Sequence, residues 1–334
     1  MLLNIKKNQL NVRNLKIQLI LTLLILLFSK VLFSQPEPPL IAITQIVEHP
    51  SIDAIREGAL KYLQDAGLKK DKDFTWVYNN AQGNQSINIQ IAQKFIGMGP
   101  KVILAISTPS AQAILANRKD NEISMVFGAV SDPVGAKIVS TLQKNQETVT
   151  GVSDAPPLAA QVLLIQTMFP RLKNLGILYN PGEVNSVNTR NNLKKHLVDK
   201  GINLIEMPVI NASMLMGAAQ KLIGQVEAIY VPQDNLIISA IEVLIRLQDE
   251  HKIPVFTSDQ GSVQQGALAC VGINYFESGK VAGEMILKIL KGQRAGSIPT
   301  YFSDKTQAYI NLKALRALSL KLPKFVNLKV LKFN

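Results

Sequence analysis

Cysteine is almost absent from this chain of 334 residues, which carries only Cys270, in the apolar stretch GALACVGIN. A single thiol cannot close an internal disulfide, and it does not supply the paired cysteines of a zinc site. The cysteine count therefore neither requires nor excludes an oxidising compartment. We expect Cys270 to be a buried core residue.

Motifs for catalysis and cofactor binding are also missing. The three histidines, His49, His196 and His251, lie in neither an HExxH motif nor a context typical of a catalytic triad. The sequence contains no GxGxxG motif and no phosphate-binding P-loop. These absences argue against metal, nucleophilic or nucleotide chemistry, so we expect no cofactor and no enzymatic activity.

The positive charge is not arranged for binding nucleic acid. The formal net charge is +12, but five cations lie in the first 34 residues, and subtracting these five leaves +7 for the rest of the chain. The remaining charges are scattered over helical stretches, without a clustered basic stripe or interleaved aromatic residues. A solvated basic surface is the better interpretation. The five N-terminal cations are Lys6, Lys7, Arg13, Lys16 and Lys30.

Residues 1–34 have the composition of a signal peptide. A cationic segment without acids, MLLNIKKNQLNVRNLK, precedes the apolar run IQLILTLLILLF, and Ser34 offers a cleavage point. No cysteine follows the run, so the lipid-attachment signal of lipoproteins is absent. We predict export and a soluble mature protein. The alternative is an uncleaved anchor, although the run from Ile17 to Phe33 is near the minimum length for a span and contains Lys30.

Strands and helices alternate along the remaining chain, whose length suits two domains. Short apolar runs such as LIAIT and VILAIS precede amphipathic helices, which predicts an α/β fold with parallel sheets covered on both faces. The pattern restarts after ETVTGVSDAPP. We therefore predict one lobe over 39–150, a second over 151–272, and a return of the segment 273–325 to the first lobe.

The polar residues that directly follow the apolar runs are the candidate ligand contacts. In an open parallel sheet, ligands collect beyond the carboxyl ends of the strands, where helix N-termini present free N–H groups. Here these positions carry Gln45, Glu48, His49, Ser107, Thr108, Ser110, Ser131, Asp132, Asn180, Glu183, Asn185, Ser186, Gln233, Asp234, Asn235, Ser258, Asp259 and Gln260.

The stretch STPSAQ places three hydroxyls, those of Ser107, Thr108 and Ser110, at the start of a helix. Hydroxyl and backbone donors at a helix N-terminus suit a carboxylate ligand. The alternative is ordinary N-capping by Ser107 or Thr108, with Pro109 at the first helical position. Both can hold, because a cap satisfies only some of the free donors.

Two acids at predicted strand ends could bind a ligand ammonium. Asp234 and Asp259 both follow apolar runs in the second lobe, and a carboxylate with good geometry is the partner that an ammonium needs. Each is equally credible as a helix cap. The polar loops GVSDAPP and NPGEVNS could also contribute contacts, and spacing does not decide between a binding protein and an enzyme there.

Several of these stretches together resemble a known family. AITQIVEHPSIDAIREG, ISTPSAQA, MVFGAVSDPVGA, GVSDAPP, LYNPGEVNS, YVPQDNLIISA and the segment beginning PVFTSDQGSVQQG are similar, in the same order, to the substrate-binding proteins of ABC importers in the TrpX-like family. The resemblance runs from about Leu40 to Pro323.

The resemblance implies a type I periplasmic-binding-protein fold, in which two Rossmann-like lobes joined by three crossing segments close on a ligand in the cleft. It implies a monomer in the periplasm that delivers an amino acid, in some relatives an aromatic one, to an inner-membrane permease. Tyr179, Tyr230 and Tyr275 are candidates for the pocket wall or, equally, for the core. By matching motifs, the implied ligand residues are Gln45, Ser107, Thr108, Asn180, Ser186, Asp234 and Asp259.

Two other classes of function compete with import. A sensory receptor could use the same lobes to report a ligand to a membrane partner, and an uncleaved leader would favour it. An enzyme on this fold would need a nucleophile, metal site or cofactor motif, which the sequence does not display.

Overall fold

Two sheets, each covered by helices on both faces, form the body of the protein. In the computed structural model the described residues are Gln18, 37–118, 123–143, 148–322 and 330–333. The predicted signal peptide, residues 1–34, lies outside them except for Gln18. Within the described part of the chain, no helix is long and apolar enough to cross a membrane. All elements below belong to the unit Pro39–Asn334.

The strands follow the short apolar runs. The first sheet has the order β11-β5-β4-β3-β1-β2 and is parallel throughout, and the second has the order β13-β12-β10-β9-β8-β6-β7. The strands are β1 (Leu40–Gln45), β2 (Thr75–Asn80), β3 (Val102–Ile106), β4 (Ser124–Gly128), β5 (Val149–Ser153), β6 (Asn174–Tyr179), β7 (Asn203–Pro208), β8 (Ala228–Val231), β9 (Val255–Thr257), β10 (Ala269–Gly272), β11 (Tyr301–Phe302), β12 (Gln307–Asn311) and β13 (Val330–Phe333).

The helices bury their apolar sides against these sheets and produce a separate core on each face. They are α1 (Pro50–Asp65), α2 (Gln85–Gly97), α3 (Thr108–Asn117), α4 (Leu158–Met168), α5 (Val184–Val198), α6 (Leu215–Gln220), α7 (Asn235–Ser239), α8 (Ile241–His251), α9 (Gln260–Gln265), α10 (Tyr275–Leu290) and α11 (Leu312–Ala317). The predicted fold class, α/β with two Rossmann-like lobes, is confirmed.

The chain crosses between the sheets after β5, after β10 and after β11. We call the first sheet with its helices lobe 1 and the second sheet with its helices lobe 2. Strand β5 pairs with β4 in lobe 1 as far as Gly151 and continues to Ser153, so the sheet extends past the predicted boundary at 150.

The return of the whole segment 273–325 to lobe 1 is corrected by the strand pairing. Residues 273–302, which include α10 and β11, pack there. In contrast, β12 lies antiparallel beside β10 in the second sheet, and Leu315 of α11 is buried in the core of lobe 2. The physical reason is the edge of the sheet. Without β12, the backbone groups of β10 would be exposed at the edge of the sheet. Pairing with β10 also buries Ala308 and Ile310 of β12 in the core of lobe 2.

Glycines bring α10 into backbone contact with α1. A Cβ atom at Gly279 would lie 2.4 Å from the carbonyl oxygen of Ile55, and one at Gly283 would lie 2.5 Å from that of Ala59. No side chain fits between the helices at these points. Since α10 begins at a crossing and the N-terminus of α1 faces lobe 2, this contact fixes both relative to the first sheet.

Replacing Gly279 with Ala is therefore expected to lower the free energy of unfolding by roughly 1 to 3 kcal/mol, because the added methyl group overpacks the contact. The matched control is Gly217→Ala in α6, an exposed helical position with no atom within 4 Å of the added Cβ. That control should leave stability unchanged or raise it slightly. Urea unfolding of the two variants measures the difference, and equal midpoints would contradict the packing argument.

Candidate functional site

A cavity lies between the carboxyl ends of the two sheets. This is the place where parallel sheets collect ligands, because helix N-termini and polar loops converge there. Lobe 1, a crossing segment and lobe 2 all contribute to its wall. The residues that line it are His49, Ile52, Thr108, Ala129, Ser131, Asp154, Asn185, Gln233, Asn235, Ile238, Asp259 and Tyr275.

The three hydroxyls of STPSAQ do not act as ordinary caps. Ser107 precedes α3 without a side-chain capping bond, and its φ of 81° lies in the left-handed region that a residue with a side chain rarely adopts. Its backbone N–H donates to Gly128. The hydroxyls of Ser107, Thr108 and Ser110 are buried and have no hydrogen-bond partner among the described residues. Of the three residues, Thr108 lines the cavity.

Asp259 both caps a helix and lines the cavity, which are the two roles that the sequence analysis left open. It caps α9 by accepting from the Ser262 N–H at 2.9 Å, and it lines the cavity. Its other donors are the hydroxyls of Ser262 at 2.7 Å and of Ser51 at 2.6 Å. Because Ser51 belongs to α1, the last of these bonds joins lobe 1 directly to lobe 2.

Asp234, Ser186 and Asn180 form a cluster outside the cavity lining. The carboxylate of Asp234 accepts from the Ser186 hydroxyl at 2.6 Å, from the Asn180 N–H at 2.5 Å and from the Ile237 N–H at 3.0 Å. Burial, followed by the negative charge of Glu183, raises the pKa of Asp234 to about 7. The cluster joins the end of β6, α5 and the start of α7 behind the residues that line the cavity. Direct contact of Asp234, Ser186 or Asn180 with a ligand stays a prediction.

Gln45 is also outside the lining. Its amide nitrogen donates to Asp53 at 2.9 Å and to the Val47 carbonyl at 3.2 Å, and its oxygen accepts from Arg56 at 2.6 Å. The side chain is fully buried and fully bonded within lobe 1. Its observed role is to tie the end of β1 to α1, and a ligand contact remains a prediction here as well.

Asp154 is the acid that the sequence analysis left unassigned, in the loop GVSDAPP. It follows β5 at the crossing, is 5% exposed, and accepts from the Ser131 hydroxyl at 2.9 Å and the Tyr275 hydroxyl at 3.0 Å. Burial raises its pKa to about 6, against the opposing effect of these hydrogen bonds. No Lys or Arg is among the described residues of the lining, so the carboxylate lacks a cation.

Polar side chains of the strand ends complete the wall. Five further residues that the sequence analysis selected at the ends of strands line the cavity, as expected for a parallel sheet. They are His49, Ser131, Asn185, Gln233 and Asn235. Burial lowers the pKa of His49, against the raising effect of Asp259, Asp53 and Glu183. A neutral imidazole therefore faces the site. Within the described structure, the Nδ1 atom of His49 is buried without a hydrogen-bond partner.

The three candidate tyrosines have different positions. Tyr275 lines the cavity, as predicted for a pocket wall. Tyr230 is a fully buried core residue whose hydroxyl donates to Gln161 at 2.6 Å. The ring of Tyr179 lies under the guanidinium of Arg190, with 4.9 Å between Cζ and the ring centroid. Only one of the three is thus positioned to contact a ligand in the cavity.

The lobes touch on both sides of the cavity. On one side Ser51 accepts from the Gly261 N–H at 3.3 Å, and a Cβ at Gly261 would lie 2.6 Å from the Ser51 hydroxyl oxygen. On the other side the Asn188 amide donates to Asp132 at 3.0 Å. These contacts describe a closed arrangement, in which a ligand would be surrounded by both lobes.

A helix start with unpartnered hydroxyls, a buried carboxylate without a cation and two lobes in contact across a cavity are features typical of a solute-binding protein. Among the residues described, no group of three or more His, Cys, Asp or Glu could hold a metal ion.

The profile of the family described as ABC transporter substrate binding protein matches residues 40–332. The chain belongs to this family, whose members are solute-binding proteins and not enzymes, and the predicted resemblance is confirmed at that level.

Known relatives extend over most of the chain. A tyrosine-binding protein of Clostridioides difficile is 37% identical over 292 residues, which cover 87% of this chain and 84% of the relative. A domain of a Streptococcus pneumonia ABC protein in complex with L-Trp is 30% identical, with a TM-score of 0.82 over 86% of this chain and 96% of that one.

A third comparison bears on the arrangement of the lobes. The ligand-free, open structure of a Clostridium difficile substrate-binding protein with adhesive properties is 37% identical and covers 89% of this chain and 100% of its own. Its TM-score is only 0.66, below that of the L-Trp complex despite the higher identity. The lower TM-score against the open structure agrees with the closed arrangement that the direct contacts between the lobes describe.

The buried carboxyl of Asp154 generates a test of stability against pH. Because its pKa is raised in the folded state, its contribution to stability is lost as the pH rises from about 4 through about 6. Replacement by Asn should remove this loss, and should raise the free energy of unfolding of the ligand-free protein at pH 8 by roughly 1 to 3 kcal/mol. Urea unfolding between pH 4 and 8 measures it. Identical pH profiles for the two proteins would refute the assignment.

Proposed function

We propose that this protein is the periplasmic solute-binding subunit of an ABC importer and that its ligand is an amino acid with an aromatic side chain. The observation that carries the proposal is the cavity, whose lining contains both Thr108, with an unpartnered hydroxyl at the start of α3, and Asp154, whose carboxylate has no cation among the described lining residues. An α-amino acid supplies the matching carboxylate and ammonium. The tyrosine-binding and L-Trp-bound relatives support the aromatic class.

The carboxylate of the ligand binds at the start of α3. Thr108 lines the cavity, and the hydroxyls of Ser107, Thr108 and Ser110 are buried without a hydrogen-bond partner among the described residues. The N-terminus of the ten-residue helix adds a partial positive charge and free N–H groups. This neutral set of donors takes the place of an arginine.

The ammonium binds to Asp154. A buried carboxylate is stabilised strongly by a cation at hydrogen-bond distance, and each oxygen of Asp154 accepts only one hydroxyl among the described residues. The negative charge of Asp259 lies close enough to affect the pKa of Asp154, so a single cation between them would relieve both. Asp259 is thus the second acid of the site.

The side chain of the ligand packs against the apolar part of the wall. Ile52 and Ala129 contribute from lobe 1, Ile238 from lobe 2, and Tyr275 from the crossing.

Closure couples binding to transport. A ligand that contacts both lobes only in the closed state shifts the population towards that state, and the permease recognises the closed pair of lobes. The leader places the protein in the periplasm, where it works as a monomer. Release of the ligand into the permease then requires the Ser51–Asp259 and Asn188–Asp132 bonds to open.

Calorimetric titration with the twenty amino acids tests the proposal. An aromatic amino acid should bind, and Asp154→Asn should weaken its affinity by about 100-fold, because the buried ammonium would lose its charged partner. Thr108→Val, which removes a hydroxyl while keeping the shape, should weaken it by roughly 10-fold.

The matched control for the acid is Glu206→Gln, which removes a carboxylate of the edge strand β7 that pairs with Arg190 and Lys194 outside the cavity lining. It should leave the affinity within about threefold of the parent. Cells lacking the gene should regain uptake of the labelled ligand with the parent protein and not with Asp154→Asn. Absence of binding by every amino acid would overturn the proposed function.

A further inference from the structure

The contact between α1 and α9 joins the two lobes through backbone as well as side-chain atoms. The Gly261 N–H donates to the Ser51 hydroxyl oxygen at 3.3 Å, and that hydroxyl donates to the Asp259 carboxylate at 2.6 Å. Ser51 is 3% exposed, Asp259 is 1% exposed, and Gly261 is buried as well. The contact is therefore closed to solvent in this arrangement of the lobes.

The contact has no room for a side chain at position 261. A Cβ atom there would lie 2.6 Å from the Ser51 Oγ, 3.1 Å from the Pro50 Cβ and 3.1 Å from the Ser51 backbone nitrogen. Beyond the neighbours of Gly261 in α9, these three are the nearest atoms, and all of them belong to lobe 1. A side chain at position 261 would thus meet the opposite lobe, and separation of the lobes would relieve the clash.

Neither Ser51 nor Gly261 lines the ligand cavity. Both line a second cavity, which lies between α1, α9 and the start of α10. The lining of the ligand cavity begins next to them in the chain, because Ile52 follows Ser51 and Asp259 lies two residues before Gly261. A shift of this contact would therefore displace lining residues of both lobes.

The contact on the other side of the cavity tolerates small shifts of the lobes. There the amide of Asn188 donates to Asp132 at 3.0 Å, and both side chains are half-buried. A side chain with two torsions can follow a change in the distance between the lobes by rotating. The contact of Ser51 with Gly261 lacks this freedom, since one partner has no side chain and the other has a single heavy-atom torsion.

We infer that Ser51 and Gly261 are positioning residues, which set how far the lobes close and thereby control ligand affinity without touching the ligand. This inference rests on the proposed function and adds the regulation of its site by the fit of α1 against α9. In the closed arrangement Ser51 supplies one of three hydrogen bonds that the Asp259 carboxylate accepts, and Ser262 of lobe 2 supplies the other two. Closure thus completes the donor set of an acid that lines the cavity.

The variant Gly261→Ala tests the steric part of the inference. Calorimetric titration uses whichever of L-tyrosine and L-tryptophan binds the parent more tightly. The dissociation constant should rise roughly 10-fold or more, because the added methyl group opposes closure and a protein that closes less has a lower apparent affinity. The urea midpoint of the ligand-free variant should stay the same or rise slightly, since separated lobes relieve the clash and Ala is the better helix former.

The matched control is Gly283→Ala in α10. Its Cβ atom would lie 2.5 Å from the Ala59 carbonyl oxygen, which is a contact within lobe 1. This variant should lower the urea midpoint and leave the dissociation constant within about threefold of the parent. If Gly261→Ala gave the same pattern as this control, its role would be structural and the inference would be wrong.

A double-mutant cycle tests whether the two residues act through one contact. Ser51→Ala removes a hydrogen bond to a carboxylate and should weaken binding by roughly 10-fold. On that background Gly261→Ala should raise the dissociation constant by less than a third of the factor seen in the parent, because the nearest atom, the Ser51 Oγ, is gone. Equal factors on the two backgrounds would show that the residues act independently.

Spin labels on the two lobes measure closure itself. The only cysteine, Cys270, is 1% exposed, so labels introduced by Gln90→Cys in α2 and Asn191→Cys in α5, both exposed positions, report one distance. With the same amino acid at saturation, the parent should show a single short distance. Gly261→Ala should retain longer distances under these conditions.

The outcomes separate this inference from the proposed function. Binding by Gly261→Ala within threefold of the parent, or a spin-label distance equal to that of the ligand-bound parent, would overturn the inference alone. Absence of binding of every amino acid to the parent would remove the proposed function and the inference together. If Gly261→Ala does not fold, Ser51→Ala carries the test, and parental affinity in that variant would overturn the inference.

Discussion

The site depends on a buried carboxyl group without a cation, that of Asp154 at the crossing between the lobes. It is enclosed with two hydroxyl donors and without a lysine or arginine in the described lining, and its pKa is raised to about 6. Burial of a lone carboxylate costs free energy that a bound cation recovers. The ligand-free protein is thus less stable than its fold allows, and under the proposed function the ammonium of the ligand recovers the difference.

The fold brings this charge and its counterparts together. Parallel strands direct their carboxyl ends to one edge of each sheet, and the two edges face one another across the cavity. The glycine contacts of α10 with α1 fix the crossing that carries Tyr275, and Ser51 of α1 reaches Asp259 of lobe 2. Packing of the cores, remote from the ligand, therefore sets the positions of donors and acceptors in the site.

The hydrophobic periodicity of the sequence was sufficient to predict the α/β class. The rule that ligands collect beyond the carboxyl ends of parallel strands was sufficient to predict much of the cavity wall, including Thr108, Asn185, Gln233 and Asp259. They missed Asp154, because Gly151 interrupts the apolar run of β5 and made a strand resemble a boundary. They also could not distinguish the residues that line the cavity from the polar residues that are buried behind the lining. Asp234 and Asp259 occupy equivalent positions after strands, and only the tertiary structure shows that Asp259 lines the cavity and that Asp234 does not.

Proton release on ligand binding tests the central claim most directly. Calorimetric titration of the tightest-binding aromatic amino acid at pH 6, in buffers with different enthalpies of ionisation, counts the protons released. If the ammonium pairs with Asp154, about half a proton should leave per ligand bound at pH 6 and almost none at pH 8, because the bound cation lowers the pKa of a carboxyl near 6. An equal proton count at both pH values would contradict the account.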